Sequence, residues 1–186
     1  MKFKKIEKIH EGKYITRYNI DYELKSGRIK TYEIISHNKN LQTFDELHNF
    51  KSDAAVLIIH DEKKERILLN REFRMATGEW VYNFPGGLID PGENASDAAS
   101  RELWEETGLK LTKIDEVWRE SYTAVGLTNE KTVVIVGTAE GEFQPSTSEV
   151  EEIEADWYTK KEVKALLNVA RFAARTQAYC QLWSRS

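Results

Sequence analysis

A helical segment in the middle of the chain, with strand-like segments on both sides of it, most limits the folds that this sequence can adopt. Alanine and leucine recur at helical spacing after Asn94, whose side chain favours the position just before a helix, and Gly108 is well placed to end the helix. β-Branched and aromatic runs before and after this segment are typical of sheet strands. The pattern therefore predicts a domain that mixes helices with strands, of the α/β or α+β class.

Strand-like patterns occur along most of the rest of the chain. We predict strands at 13–24, 28–37, 54–59, 66–73, 80–84, 113–122, 131–138 and 153–158. The first two flank a Lys-Ser-Gly turn at 25–27, so they should form an antiparallel hairpin. Two further helices are expected at 159–168 and 170–183, because Thr159 can cap the first and apolar residues recur at helical spacing in the second.

A polar, weakly patterned segment at 38–51 separates the hairpin from the apolar run that begins at residue 54. We therefore expect an N-terminal antiparallel β subdomain at 1–50 and a second domain at 51–186. The chain shows no internal repeat and no low-complexity tract that would suggest a further division.

The charge and cysteine content exclude several classes of protein. The 186 residues include 27 Lys and Arg against 31 Asp and Glu, and the positive charges are scattered, so nothing favours binding to a nucleic-acid backbone. The one cysteine, Cys180, cannot form an internal disulfide, which favours a reducing compartment. No segment approaches the roughly 18 apolar residues of a membrane span. We therefore expect a cytoplasmic protein that contacts neither nucleic acid nor membrane.

Three glutamates on the predicted central helix indicate a metal site. Glu102, Glu105 and Glu106 lie at positions i, i+3 and i+4, so their carboxylates project from one face and repel one another unless a cation lies between them. A hard divalent ion such as Mg²⁺ takes oxygen ligands and shares its remaining positions with water and substrate phosphates. The glycines of the preceding loop at 84–87 would let the backbone approach such an ion.

The segment around this helix also resembles a known family. From Gly87 to Leu109 it reads Gly-x5-Glu-x7-Arg-Glu-U-x-Glu-Glu-x-Gly-U, where U is aliphatic, and it resembles the Nudix box at every specified position. The resemblance implies an α/β/α sandwich with a mixed β-sheet, to which this chain adds the N-terminal hairpin. It also implies Mg²⁺-dependent hydrolysis, with Mn²⁺ able to substitute, of a nucleoside diphosphate linked to another group.

Carried over residue by residue, the Nudix pattern assigns roles to the acidic helix and to the turn before it. The implied metal ligands are the side chains of Glu102, Glu105 and Glu106 and the backbone carbonyl of Gly86. Glu106 also counts among the catalytic candidates. The supporting residues are Gly87, Glu93 and Arg101, of which the last two could form a carboxylate–guanidinium pair.

Beyond the box, residues 12–160 are most similar to the ADP-ribose pyrophosphatase branch of the family. In that branch the N-terminal hairpin is exchanged between two subunits, so the resemblance implies a homodimer. A mobile acidic loop supplies the general base or a further metal ligand there. Glu149, Glu151 and Glu152 compete for this role, with Glu149 the first choice.

The same branch suggests which residues contact the substrate. The candidates are Arg71, Arg74, Asn83 and Glu130. Arg74 ends a segment that contacts substrate in this branch, with an exposed strand arginine as the alternative interpretation. Asn83 replaces the usual glutamate. Tyr18, Tyr22 and Tyr32 could stack on an adenine or could simply pack the sheet.

Together these observations favour an enzyme that cleaves ADP-ribose or a related nucleotide sugar into a nucleoside monophosphate and a sugar phosphate. One alternative is a pyrophosphohydrolase acting on a nucleoside triphosphate. The other is a sensor that binds a nucleotide sugar without turnover. The four histidines show no metal-ligand spacing, and Cys180 is expected in the core and not as a nucleophile.

Overall fold

The computed structural model describes residues 1–48, 51–148 and 150–186. Within these ranges the strands are β1 (Lys2–Glu11), β2 (Thr16–Glu23), β3 (Ile29–Ser36), β4 (Ala54–His60), β5 (Arg66–Arg74), β6 (Glu79–Asn83), β7 (Gly86–Leu88), β8 (Lys110–Tyr122), β9 (Lys131–Glu140) and β10 (Ile153–Thr159). The helices are α1 (Phe44–Leu47), α2 (Ala95–Thr107), α3 (Lys160–Leu166) and α4 (Ala174–Trp183). The chain forms two units, one of residues 1–53 and 120–132 and the other of residues 54–119 and 133–186.

An antiparallel sheet in the order β1–β2–β3 forms the framework of the first unit. Thr16 pairs with Ser36 and Glu23 with Ile29, which confirms the predicted hairpin. A small apolar cluster stabilises the unit and consists of Tyr18, Ile20, Ile34 and Leu41. Strand β1 was not predicted, because nearly all of its side chains are exposed and polar ones predominate.

A sheet in the order β10–β5–β4–β9–β8, with β6 beside β5 and β7 beside β4, organises the second unit. Alternation along β4 separates its two faces. Leu57 packs with Leu103 of α2, whereas the next residue, Ile58, packs with Val163 of α3 and Cys180 of α4. Helix α2 therefore covers one face and α3 and α4 cover the other, which confirms the α/β/α sandwich with a mixed sheet.

Helix α2 has the ends that the sequence predicts. The side chain of Asn94 accepts hydrogen bonds from the backbone N–H groups of Ser96 and Asp97, both at 3.0 Å. At the other end Gly108 has a φ of 77° and its N–H donates to the carbonyl of Trp104 at 2.8 Å. These caps fix where the helix begins and ends, and so fix which of its residues face the sheet.

The structure differs from the predictions where long-range pairing overrides local pattern. Helix α4 begins at Ala174 and not at residue 170, because the preceding residues bond to β6: Ala173 N–H donates to the carbonyl of Tyr82 at 2.9 Å. Residues Gly86–Leu88 form strand β7, paired with β4, where only a turn was expected.

The longest helix in the described ranges is α2, with 13 residues, and none of these helices is long and apolar enough to cross a bilayer.

Candidate functional site

Arg101, near the middle of α2, holds three carboxylates with one guanidinium. Its Nε and Nη2 donate to the two oxygens of Glu93 at 3.0 and 2.9 Å, and its Nη1 donates to Glu102 at 2.8 Å and to Glu105 at 3.2 Å. Nη2 also donates to the carbonyl of Leu88 at 3.0 Å, which ties the helix to the turn before it. The guanidinium lowers the pKa of Glu93, so this carboxylate stays ionised.

Glu106 is the most buried of the three helix glutamates, with 8% of its surface exposed. Its Oε2 accepts hydrogen bonds from Asn70 Nδ2 at 2.9 Å and from the backbone N–H of Gly86 at 3.1 Å. Burial raises its pKa well above the usual range, and the nearby charge of Glu102 raises it further. A buried carboxylate is stabilised when it binds either a proton or a metal cation.

The first two residues of β7, which we call the glycine turn, have little room for side chains. Gly86 has a φ of 150°, and a Cβ there would collide with the carbonyl oxygen of Ala55. A Cβ on Gly87 would lie on the carboxylate of Glu102. Gly86 therefore lets the backbone lie directly against β4, and Gly87 lets it lie against Glu102 of the acidic helix.

A cavity of about 600 Å³ lies beside these carboxylates in the second unit. Its lining comes from the glycine turn, the acidic face of α2, the end of β5 and the segment after β9, namely Ala54, Arg74, Gly86, Gly87, Leu88, Glu102, Glu105, Glu106, Ser146, Thr147, Ser148 and Glu151. Arg74 has the only basic side chain of this described lining, and about half of that side chain is exposed. The described lining of the cavity thus combines several carboxylates with the guanidinium of Arg74.

The donor set fits a hard divalent cation. Carboxylates and a backbone carbonyl are oxygen ligands of the kind that Mg²⁺ prefers. In the described ranges no three His, Cys, Asp or Glu side chains already converge as a metal site. Here Glu102 and Glu105 turn toward Arg101, while the hydrogen-bond partners of Glu106 within the described part of the chain are neutral N–H groups. Two of the glutamates would therefore be shared between a cation and this guanidinium.

The two described general-base candidates differ in their relation to the cavity. Glu151 and Glu152 are both exposed, but of these two Glu151 alone belongs to the described lining of the cavity. Glu149, the first choice from the sequence, lies outside the described residues. The structure therefore places one of the two described candidates at the cavity.

Of the four residues predicted to contact the substrate, one lines the cavity and three are bonded elsewhere in the protein. Arg74 lines the cavity. Arg71 instead pairs with Glu154 at 2.6 Å and lies over the ring of Trp80. The remaining two are already bonded within the protein: Asn83 through both ends of its amide, and Glu130, in the first unit, to His37 at 3.0 Å and Thr123 at 2.8 Å.

The tyrosines considered for base stacking lie in the first unit. Tyr18 is fully buried and its hydroxyl donates to the carbonyl of Asn38 at 2.8 Å, so it packs the sheet. Tyr22 and Tyr32 line a separate cavity of about 240 Å³ within this unit, together with Tyr122.

Two polar residues of β5 were missed by the sequence interpretation. Asn70 donates to Glu106, and its Oδ1 is buried without a hydrogen-bond partner in the described part of the chain. Glu72 is 7% exposed and faces Arg74. Because Asn70, Glu72 and Arg74 alternate along the strand, they share one face. Polar residues at 70, 72 and 74, directly after the apolar run at 67–69, were the available signal.

Comparison with known proteins identifies the family. A family model described as "NUDIX domain" matches residues 50–179. The chain belongs to the Nudix family. This Nudix chain is 34% identical to the ADP-ribose pyrophosphatase of Bacillus subtilis over 127 residues, which cover 67% of this chain and 58% of that protein. It is 32% identical to the ADP-sugar pyrophosphatase of Mus musculus over 140 residues, which cover 73% of this chain and 60% of that protein.

The Nudix chain thus spans less than two thirds of the length of these relatives. Among solved structures, the crystal structure of an ADP compounds hydrolase superposes with a TM-score of 0.73 and covers 100% of this chain and 93% of that chain. At 20% identity this likeness shows the fold alone. The comparisons confirm the predicted Nudix resemblance and its similarity to ADP-ribose pyrophosphatases.

Proposed function

We propose that this Nudix chain is a Mg²⁺-dependent diphosphatase that cleaves ADP-ribose or a related nucleotide sugar into a nucleoside monophosphate and a sugar phosphate. The observation that carries the proposal is the cavity lined by three glutamates of α2, by Glu151, by the glycine turn and by one arginine. A diphosphate needs a metal ion and cationic side chains to balance its charge. The cavity offers oxygen ligands for the first and Arg74 for the second.

Mg²⁺ would be held by Glu102, Glu105, Glu106 and the carbonyl of Gly86. When bound, the ion neutralises diphosphate oxygens and lowers the pKa of a water molecule. The burial of Glu106 supports this assignment, because its carboxylate has neutral N–H partners and no opposite charge among them. Mn²⁺ should substitute, since it accepts the same oxygen ligands.

The remaining steps belong to side chains of this chain. Arg101 keeps Glu102 and Glu105 on one side of the helix, so that both can reach the same ion. Arg74 would bind an anionic oxygen of the substrate. A glutamate of the segment after β9 would accept the proton of the attacking water. Glu149, Glu151 and Glu152 are the three candidates, and single replacements by Gln identify the base as the one whose loss lowers kcat.

The choice of substrate is supported by the named relatives. An ADP-ribose pyrophosphatase and an ADP-sugar pyrophosphatase are similar to this chain over most of its length. Both names describe cleavage of an ADP-linked diphosphate. We therefore propose an ADP-linked sugar ahead of a nucleoside triphosphate.

We also propose that residues 1–50 form a subdomain that joins two copies into a homodimer, and that the protein acts in the cytoplasm. Exposed apolar side chains of this segment support an interface: Tyr14 is 70% exposed, Ile15 44% and Ile29 54%. Light scattering at micromolar concentration should give twice the chain mass of 21.6 kDa. A monomer mass would contradict the dimer.

The decisive experiment is product analysis with ADP-ribose, other nucleotide sugars, dinucleotides and nucleoside triphosphates, each with Mg²⁺ and with a chelator. We expect AMP and ribose phosphate from ADP-ribose, only with the metal. Release of inorganic pyrophosphate from a triphosphate would instead support the pyrophosphohydrolase. Tight binding without any product would support a sensor. Undiminished activity of Glu105→Gln and Glu106→Gln would refute the metal assignment.

A further inference from the structure

A chain of hydrogen bonds leads from helix α4 to the arginine of the cavity. The hydroxyl of Thr176 donates to Asn83 Oδ1 at 2.9 Å, and Asn83 Nδ2 donates to Glu72 Oε1 at 2.8 Å. The other oxygen of Glu72 faces Arg74 Nη1 at 3.4 Å. We call these four side chains the relay. It connects residues that are as far as 104 positions apart in the sequence.

The direction of the relay is fixed by Glu72. Because carboxylate oxygens can only accept, the amide of Asn83 must present its NH₂ group to Glu72 and its oxygen to Thr176. The hydroxyl of Thr176 donates its hydrogen to Asn83 Oδ1 and accepts from the backbone N–H of Phe84 at 3.2 Å. Asn83 is thereby held in one of its two amide orientations.

Burial makes the first part of the relay rigid and leaves its end accessible. Thr176 is fully buried and Glu72 is 7% exposed, whereas 54% of the Arg74 side chain is exposed. At 3.4 Å the contact between Glu72 and Arg74 is long for a charge-assisted hydrogen bond. It can direct the guanidinium while its other N–H groups stay available to a ligand in the cavity.

We propose that Thr176 and Asn83 are positioning residues, which orient Glu72 and, through it, turn Arg74 toward a diphosphate or phosphate group in the cavity. Without them Glu72 and Arg74 would sample more rotamers, and binding an anion would cost the entropy of ordering both. The inference rests on the proposed function in one respect, since it takes Arg74 as the contact for an anionic group of the substrate.

Two substitutions at Thr176 separate hydrogen bonding from packing. Thr176→Val keeps the shape and removes the hydroxyl, whereas Thr176→Ser keeps the hydroxyl and removes a methyl group. Calorimetry with inorganic pyrophosphate and Mg²⁺ measures anion binding without turnover. A lost hydrogen bond predicts pyrophosphate binding about three- to tenfold weaker in Thr176→Val and within about twofold of wild type in Thr176→Ser. With ADP-ribose, KM should rise by a similar factor while kcat stays within about twofold.

A double-mutant cycle tests whether the effect passes through Arg74. In an Arg74→Ala background, Thr176→Val should weaken pyrophosphate binding no further. Additive effects would overturn the relay, and so would a Thr176→Ser variant as impaired as Thr176→Val, because packing would then explain the loss. If Thr176→Val fails to fold, Asn83→Leu breaks the same connection from β6 and should give the same coupling to Arg74.

The relay and the proposed function can fail separately. If no substrate is cleaved but pyrophosphate binding follows the predicted pattern, the relay holds and the function is wrong. If ADP-ribose is cleaved and Thr176→Val changes neither KM nor pyrophosphate binding, the function holds and the relay is wrong. A wild-type protein that does not bind pyrophosphate overturns the relay, since Arg74 would then serve no anion.

Discussion

Among single residues, Arg101 has the contacts that Lys could not reproduce. Its planar guanidinium reaches Glu93 with two N–H groups while a third nitrogen serves Glu102 and Glu105. A lysine ammonium has the charge without this fork. We expect Arg101→Lys to lower kcat/KM about 10- to 100-fold, as loss of a group that orients metal ligands does. Arg185→Lys is the control, because Arg185 bonds Gln181 at 3.1 Å at the end of the chain and should change kcat/KM little. Equal activities of the two variants would contradict the role of Arg101.

The buried imidazole of His60 predicts how stability depends on pH. Its ring nitrogens lie 3.3 Å from the carbonyl of Arg66 and 3.3 Å from the hydroxyl of Tyr179, and the ring packs against Trp183. Burial lowers its pKa from 6.5, and the nearby Lys64 lowers it further. Below about pH 6.5 the unfolded chain therefore binds a proton that the folded chain resists. The free energy of unfolding should fall as the pH decreases from 6.5 through the lower folded pKa.

Urea unfolding at pH 7.5 and pH 5.0 measures this effect. The drop in unfolding free energy should be smaller in His60→Gln, which has no group to protonate, than in the wild type. The control is His10→Gln, since His10 is exposed on β1. We expect it to show the same drop as the wild type. A His60→Gln variant with an unchanged drop would assign the acid sensitivity to other groups.

At the scale of elements, helix α2 depends on its N-terminal cap. Asn94→Ala removes the acceptor for two backbone N–H groups and should lower the free energy of unfolding by about 1 kcal/mol. Asn94→Ser retains a cap acceptor and should stay within about 0.5 kcal/mol of the wild type. Urea unfolding at neutral pH compares the three proteins. Because the acidic face lies two turns further along α2, kcat should not change in either variant well below the unfolding midpoint. A large loss of kcat in Asn94→Ala would show that the cap also positions the glutamates.

The elements that sequence predicts well are those whose signals are local. Helix α2 has its caps, its apolar spacing and its acidic face within fifteen residues, so its position and its candidate ligands follow from the sequence alone. Strand β7 and the start of α4 depend on pairing with β4 and β6, which lie far away in the chain, and no local pattern records those partners. The relay is even harder to predict from the sequence, because no local pattern links Thr176 to Asn83 and the two residues meet only in the folded chain.

At the scale of the whole molecule, the division into units also depends on distant parts of the chain. Local pattern predicts a boundary after residue 50, whereas residues 1–53 lie in the first unit. The first unit also includes residues 120–132, whose backbone forms hydrogen bonds with residues 1–53. The N–H of Ile35 donates to the carbonyl of Leu127 at 3.0 Å. The N–H of Asp53 donates to the carbonyl of Lys131 at 2.8 Å. Because 66 residues separate the two parts of the first unit, the composition around residue 50 does not indicate that the later segment belongs to it.

Metal binding should stabilise the folded chain as a whole, because the ligand set exists only in the folded state. If Mg²⁺ binds at the acidic face, a concentration one hundred times its dissociation constant adds about 2.7 kcal/mol to the free energy of unfolding. Thermal unfolding should therefore move to higher temperature with Mg²⁺ and return with a chelator. Glu105→Gln should lose most of this shift, whereas Glu62→Gln, an exposed glutamate in the turn after β4, should keep it. If both variants shift as the wild type does, the metal binds elsewhere, and the activity assays with Glu105→Gln would have to be interpreted without it.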